Sequence, residues 1–210
     1  MTEPSRTIHL AGSTIGCSCH ACAFFHDPEE EYRTLLPFVQ EGFEAGDRAF
    51  QIVAGEQRGE RLQRLAGLGV DVAAAERAGQ LEVRPWEEAY LRNARFDQHA
   101  MLALIEEALI GGRDRGFGLT RLWANMEWAL EDLPGVHDLI EYEARLNTIL
   151  PNYPDVVVCT YDLRRFSAAV VMDILRTHPQ VIIGGLLQEN PFYVPPAEFL
   201  KELAARPRPN

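Results

Sequence analysis

His20-Ala-Cys-Ala-Phe-Phe25, then His26, then Asp27-Pro-Glu-Glu-Glu31, is the stretch that decides the fold. The first six residues read as a short strand that is apolar along most of its length, the pattern of a strand buried on both faces. The next five read as a helix start. Asp27 is suited to the N-cap, Pro28 to the first helical position, and Glu29, Glu30 and Glu31 to the first turn. Tyr32, Leu35, Leu36, Val39 and Phe43 follow at helical spacing, and Gly46 is a stop. Pro37 is expected to kink this helix. A buried strand running straight into an amphipathic helix is the unit from which parallel sheets are built.

The unit recurs downstream. Further strands are expected at 48–54, 81–84, 156–161 and 181–187, and at 119–128 with Leu122, Ala124, Met126 and Trp128 on one face. Helices are expected around 57–67, 71–78, 136–150, 167–177 and 197–205, and from Asp97 to a stop at Gly111 and Gly112. The expected fold is therefore α/β, a three-layer arrangement of a mostly parallel sheet with helices on both faces. No internal repeat or linker divides the chain. The reading gives an N-terminal arm over 1–16, a single domain over 17–205 and a short tail over 206–210.

Composition narrows the function. The chain has 210 residues, 47% of them apolar and 24% charged, so it can sustain an ordinary core. Its formal charge of −11 repels nucleic acid phosphates and anionic lipid, so neither direct nucleic acid binding nor membrane binding is expected. No basic stretch followed by an apolar core opens the chain, and no apolar run has membrane-spanning length. The expectation is a cytoplasmic protein. Of the basic residues, nineteen are Arg and one is Lys, at Lys201, which has no glycines before it. A Walker A loop needs its Lys, so no ATP site is expected. The acidic helix start after the first strand reverses the charge that a phosphate site requires.

Several residues could carry chemistry. Cys17, Cys19, His20 and Cys22 offer four soft ligands for zinc or iron, or a redox-active set of thiols. If 19–22 is already a strand, however, Cys19 and His20 point to opposite faces. As a third alternative, Cys22 is a small buried hydrophobe and the other two are loop thiols. Ligands of parallel sheets bind beyond the carboxyl ends of the strands. That rule singles out Glu127 with Trp128, Tyr161 with Asp162, and the 188–190 stretch that includes Glu189. Glu143 falls inside the apolar stripe of Leu139, Tyr142, Leu146 and Leu150, so a buried carboxylate there needs a partner from another element, because Arg145 and Asn147 lie off that face. His178 precedes Pro179 at a helix end, where it suits the helix dipole. No Gly-x-Ser-x-Gly, His-Glu-x-x-His or Gly-x-Gly-x-x-Gly motif is present.

Nearly the whole chain resembles one family. The matching stretches are His20-Ala-Cys22-Ala-Phe-Phe, Glu30-Glu-Tyr32-Arg-Thr-Leu-Leu-Pro-Phe with Glu41-Gly-Phe, Trp86-Glu-Glu-Ala-Tyr90 and Met126-Glu-Trp-Ala-Leu. They continue with Tyr142-Glu-Ala-Arg-Leu-Asn, Cys159-Thr-Tyr-Asp, His178-Pro and Glu189-Asn-Pro-Phe-Tyr-Val-Pro-Pro. The chain resembles the MEDS domain, a sensory domain of methanogens and methylotrophs named after a dichloromethane-responsive regulator. The resemblance implies a fold related to RecA-like ATPase domains without the phosphate-binding loop. It also implies a sensor of small hydrocarbon derivatives, working beside a kinase-like, anti-sigma or DNA-binding partner. His20, Cys22, Glu127, Glu143, Cys159 and His178 fall on recurring family positions, whereas Cys17 and Cys19 are additions to the pattern.

The leading expectation is a non-enzymatic sensor that binds a small, largely apolar ligand and relays to a signalling partner protein. Its ligand residues are His20, Cys22, Glu127, Trp128, Glu143, Cys159, Tyr161, Asp162, His178 and Glu189. A metal- or redox-responsive switch on the cysteine cluster is the alternative. An enzyme with Cys22 or Cys159 as nucleophile and His20 or His178 as base comes third; it requires a Cys–His pair within hydrogen-bond reach.

Overall fold

The computed structural model describes residues 7–16 and 18–206. Among the described residues, nine strands form in chain order: β1 (Ile8–Leu10), β2 (Ser13–Ile15), β3 (Cys19–Phe25), β4 (Arg48–Val53), β5 (Leu81–Pro85), β6 (Thr120–Asn125), β7 (Val156–Asp162), β8 (Gln180–Ile183) and β9 (Leu186–Glu189). The helices are α1 (Pro28–Glu44), α2 (Arg58–Gly67), α3 (Val72–Ala78), α4 (Gln98–Asp114), α5 (Leu139–Ile149), α6 (Ala168–Thr177) and α7 (Pro196–Ala205). Strands β3 to β9 make one sheet in the order β5-β4-β6-β7-β3-β8-β9, parallel throughout except for the antiparallel edge strand β9. β3 lies between β7 and β8, with His20 beside Val157 and Cys22 beside both Cys159 and Val181.

Strand alternation sorts the core into two layers. Cys22, Phe24, Phe50, Leu122, Cys159 and Tyr161 face α4, α5 and α6. Cys19, Ala21, Phe25, Trp123, Val156 and Val158 face α1, α2 and α3. This is the three-layer architecture expected from the sequence. The opening unit forms as read: Asp27 accepts from the Glu30 amide at 2.9 Å, and Pro28 begins α1. Asp97 and Ser167 cap α4 and α6 in the same way.

Some expectations change. α1 runs unbroken through Pro37, which is exposed, while Leu35, Phe38 and Val39 anchor the helix on its buried side. α4 continues past Gly111 and Gly112 to Asp114. Gly112 is there for close approach, since a Cβ on it would lie 2.5 Å from Thr120 Oγ1. The strand expected over 119–128 stops at Asn125, and Glu127–Leu130 is a 3-10 turn. The single strand expected over 181–187 is two strands. Gly184 and Gly185, both at positive φ (59° and 74°), form a two-residue hairpin turn between them. Residues 8–15, within the expected arm, are a ribbon of β1 and β2. Ile8 and Leu10 are buried on the α1 side of the sheet.

Candidate functional site

Two arrangements meet around β7: a sealed polar centre on the α5–α6 side, and a small crevice at the carboxyl end of the sheet. The sealed centre draws on four elements. β3 supplies His20, α5 supplies Glu143, β7 supplies Cys159 and Tyr161, and the C-cap of α6 is His178. Relative exposures are 3% for His20, 1% for Cys159, and 0% for Glu143 and His178.

The partner that a buried Glu143 needs is thus supplied from other elements, and in triplicate. Tyr161 Oη donates to Glu143 Oε1 at 2.8 Å. Glu143 Oε2 lies 3.5 Å from His20 Nε2 and 3.4 Å from His178 Nε2. Cys159 Sγ lies 3.8 Å from both Glu143 Oε2 and His20 Nε2. The two imidazoles meet with ring centroids 4.1 Å apart.

The hydrogen bonds fix both tautomers. Asn147 Nδ2 donates to the carbonyls of Glu143 (3.0 Å) and Thr177 (2.5 Å), so Asn147 Oδ1 faces His20 and accepts from its Nδ1 at 2.9 Å. His178 Nδ1 donates to the Ile174 carbonyl at 2.9 Å. His178 does meet the end of α6 as expected, and it also does something more. With each Nδ1 carrying a proton toward a carbonyl, both Nε2 atoms turn toward Glu143. His178 Nε2 is buried without a hydrogen-bond partner among the described residues.

Burial disfavours charge throughout the centre. It pushes the Cys159, Cys22 and Tyr161 groups well above their ordinary pKa values, with the Glu143 charge adding to the effect. Burial lowers His20, and neighbouring His178 lowers it further. Burial alone would raise Glu143, but the two imidazoles more than offset it and hold the carboxyl below the usual carboxylate range.

The crevice lies past the ends of β3, β6 and β7 and has a volume of about 90 Å³. Phe25, Tyr32, Arg61, Glu127, Asp162 and Arg165 are among its lining, and Tyr161 borders it too. It sits at the β3–α1 turn, where strand–loop–helix nucleotide sites carry their phosphate loop. Here the first turn of α1 sends in a carboxylate. Glu31 Oε1 accepts from Trp123 Nε1 at 2.7 Å, Thr160 Oγ1 at 2.9 Å and Asn125 Nδ2 at 3.0 Å. Arg61 is buried behind it, bonded to Gln51 Oε1 and Asn125 Oδ1 and lying 3.5 Å over the Trp123 ring. Glu127 Oε1 accepts from the Asp162 amide at 3.1 Å. Burial, followed by the nearby Glu31 charge, raises its pKa to about 7.

The sequence candidates therefore divide. His20, Glu143, Cys159, Tyr161 and His178 come together, with Cys22 beside Cys159. Glu127, Asp162 and Tyr161 share the crevice. Trp128 does not line it: the indole is fully buried and stacks on Tyr90 at 4.5 Å, against Phe96. Glu189 is exposed on the edge strand β9. Cys19 faces the α1 layer, opposite His20 and Cys22, as strand alternation requires, and burial raises its thiol to about 12. Cys17 lies outside the described residues, so the four-residue cysteine cluster is not assembled among them. The Cys–His pair demanded by the enzyme reading exists in Cys159 and His20, but it is sealed, and its thiol is raised by burial. Sequence reasoning missed Asn147, Glu31 and Arg61. Asn147 was placed off the Glu143 face, yet it is one turn along the same helix and bonds His20.

The strand order, with β3 flanked by β7 and β8, and the helices on both faces define a RecA-like α/β domain. Solved structures agree on the fold. A KaiC-like protein from Pyrococcus horikoshii OT3 matches with a TM-score of 0.60 at 15% identity, covering 85% of this chain and 80% of that one. The flagellar accessory protein FlaH from Methanocaldococcus jannaschii matches with a TM-score of 0.53 at 12% identity, covering 88% and 84%. The chain belongs to the MEDS family, described as the methanogen/methylotroph, DcmR sensory domain, which matches residues 19–179. It is 31% identical over 170 residues to the transcriptional repressor DcmR of Methylorubrum extorquens. That alignment takes in 80% of this chain but 61% of the repressor, so the chain spans about three-fifths of its relative. No helix among the described residues is long and apolar enough to cross a membrane.

Proposed function

We propose that this chain is a non-enzymatic sensory module that binds a small molecule in the strand-end crevice and relays its occupancy to a regulatory partner. The observation that carries this reading is the position of Tyr161. It borders the crevice, and its hydroxyl holds Glu143 at the centre of the core. An occupant that shifts β7 also shifts the group on which α5, α6 and β3 converge. A ligand changes the module's state only through different affinities for the two arrangements, and this link supplies a route for that difference.

The volume of the crevice supports a small ligand. A volume of about 90 Å³ equals the liquid share of about three waters, so the occupant has only a few heavy atoms. Phe25, Tyr32 and Tyr161 suit a hydrocarbon body, while Arg165, Glu127 and Asp162 suit one polar group. The expectation of a largely apolar ligand is therefore refined to a small hydrocarbon derivative with a polar head. The relation to a transcriptional repressor favours a DNA-binding regulator as the partner, ahead of a kinase-like or anti-sigma protein.

The test is a thermal-shift screen of short alcohols, methylated amines, halomethanes and small carboxylates, followed by titration calorimetry on any hit. At least one compound should raise the melting temperature of the chain. The shift should fall at least tenfold in apparent affinity in Arg165→Ala, whose side chain is exposed. A screen without a hit, or a hit indifferent to both Arg165→Ala and Glu127→Gln, overturns the reading.

A further inference from the structure

We infer that His20 Nε2, His178 Nε2, Glu143 Oε2 and Cys159 Sγ are the ligands of a single tetrahedral divalent metal ion of the zinc class. The inference stands whether or not the crevice takes a ligand. It rests on three features of the sealed centre.

The first is spacing. All four donor atoms lie within 4.8 Å of one another. A tetrahedral zinc site with ordinary bond lengths has ligand-to-ligand edges of about 3.3 Å between N and O donors and about 3.6 Å to a sulfur. The observed edges are 3.4 and 3.5 Å from Glu143 to the two imidazoles and 3.8 Å from Cys159 to Glu143 and His20. The imidazole separations are too long for charge-assisted hydrogen bonds, which fall at about 2.7–2.9 Å. They fit a set of donors arranged around a central cation.

The second is orientation. Each Nδ1–H is committed to a carbonyl oxygen, of Asn147 for His20 and of Ile174 for His178. Metal-binding histidines are held in this way, with the second ring nitrogen donating to an outer acceptor. The ligating carboxylate is also supported from outside, by the Tyr161 hydroxyl on Oε1. Among the described residues, His178 Nε2 has no hydrogen-bond partner although it is fully buried and aimed into the cluster. Both imidazole Nε2 atoms face the same carboxylate oxygen at 3.4 and 3.5 Å, an arrangement that one cation among them would close into metal–ligand bonds.

The third is charge. One carboxylate and one thiolate neutralise a divalent ion, so the occupied centre adds no net charge to the core, where an uncompensated charge is costly. On binding, the Cys159 S–H bond breaks, a metal–sulfur bond forms and one proton leaves to solvent. No redox step occurs. Two imidazoles, one carboxylate and one thiolate form a mixed set that suits zinc and excludes the all-oxygen chemistry of calcium or magnesium.

The test uses Co²⁺ as a visible probe. Because the site is sealed, the full chain is unfolded in urea under reducing conditions, refolded with Co²⁺, desalted and analysed for metal. The expected result is one Co²⁺ per chain, with tetrahedral visible bands and a thiolate-to-cobalt charge-transfer band. The triple variant Cys17→Ser, Cys19→Ser, Cys22→Ser leaves Cys159 as the sole thiol among the chain's four cysteines, and it should keep that band. Cys159→Ser should lose the band, and His178→Gln should retain cobalt at least tenfold less well. Circular dichroism checks the fold of each variant, and the two cysteine variants serve as complements if one fails to fold. Wild-type chain that refolds without stoichiometric cobalt overturns the inference. So does a charge-transfer band that survives in folded Cys159→Ser or vanishes in the folded triple variant.

Discussion

Glu127 gives the sharpest stability prediction. Its carboxyl accepts one amide hydrogen bond, from Asp162, but it is held away from water and close to Glu31, which raises its pKa from 4.5 to about 7. The native chain therefore keeps a proton on Glu127 over a pH range in which the unfolded chain has lost it. Where the native state binds more protons, stability falls as pH rises. This group's contribution is fully present below pH 4.5 and is lost as the pH climbs through about 7. A shift of that size is worth about 3 kcal/mol at 1.36 kcal/mol per unit. Because the side chain is half-buried, solvent screening reduces it to roughly 2 kcal/mol. Urea unfolding of wild type and Glu127→Gln, repeated from pH 4.5 to pH 8, isolates the term. The variant should gain about 2 kcal/mol relative to wild type across that interval and level off above it. A stability difference that stays flat with pH would refute the assignment of a protonated carboxyl to this turn.

Two further predictions concern residues of the core. Asn147→Ala removes the acceptor for His20 Nδ1 and the side-chain donor to the carbonyls of Glu143 and Thr177; the Glu143 carbonyl keeps its helical partner, whereas the Thr177 carbonyl is stranded. The substitution should cost about 3 kcal/mol in urea unfolding, and a loss below 0.5 kcal/mol, roughly the scatter of ordinary surface substitutions, would show that the bonds do not form. Trp128→Ala removes an indole stacked on Tyr90 and packed against Phe96 and should cost about 4 kcal/mol. A near-neutral result would return Trp128 to the crevice wall, where the sequence pattern had placed it.

The parts of this architecture that were legible in the sequence are those that short-range physics writes into consecutive residues. Asp27, Pro28 and the three glutamates announce a helix start because capping and the helix dipole act over one turn. Cys19 and His20 separate onto opposite layers because strand alternation acts over one residue. Where the reading failed, a local signal had more than one tertiary answer. Met126 and Trp128 continue the alternation of β6, but the chain turns at Glu127, whose carboxyl oxygen accepts from the Asp162 amide on the neighbouring strand. Gly184 and Gly185 look like small residues in an apolar run, and only their positive φ values make them a hairpin.

The sealed centre shows the limit most clearly. His20, Glu143, Cys159 and His178 were each singled out, yet no spacing in the sequence joins them. They meet because β3 is inserted between β7 and β8, an order that pairs strands more than 130 residues apart in the chain. That order brings Cys159 into register beside Cys22, sets the end of α6 against β3, and lets α5 lower Glu143 onto both. Once the strand order is known, the odd carboxylate in the α5 stripe, the histidine before Pro179 and the thiol in β7 cease to be three separate curiosities. Each is costly to bury alone, and their mutual proximity is the physical reason that all three can be buried together.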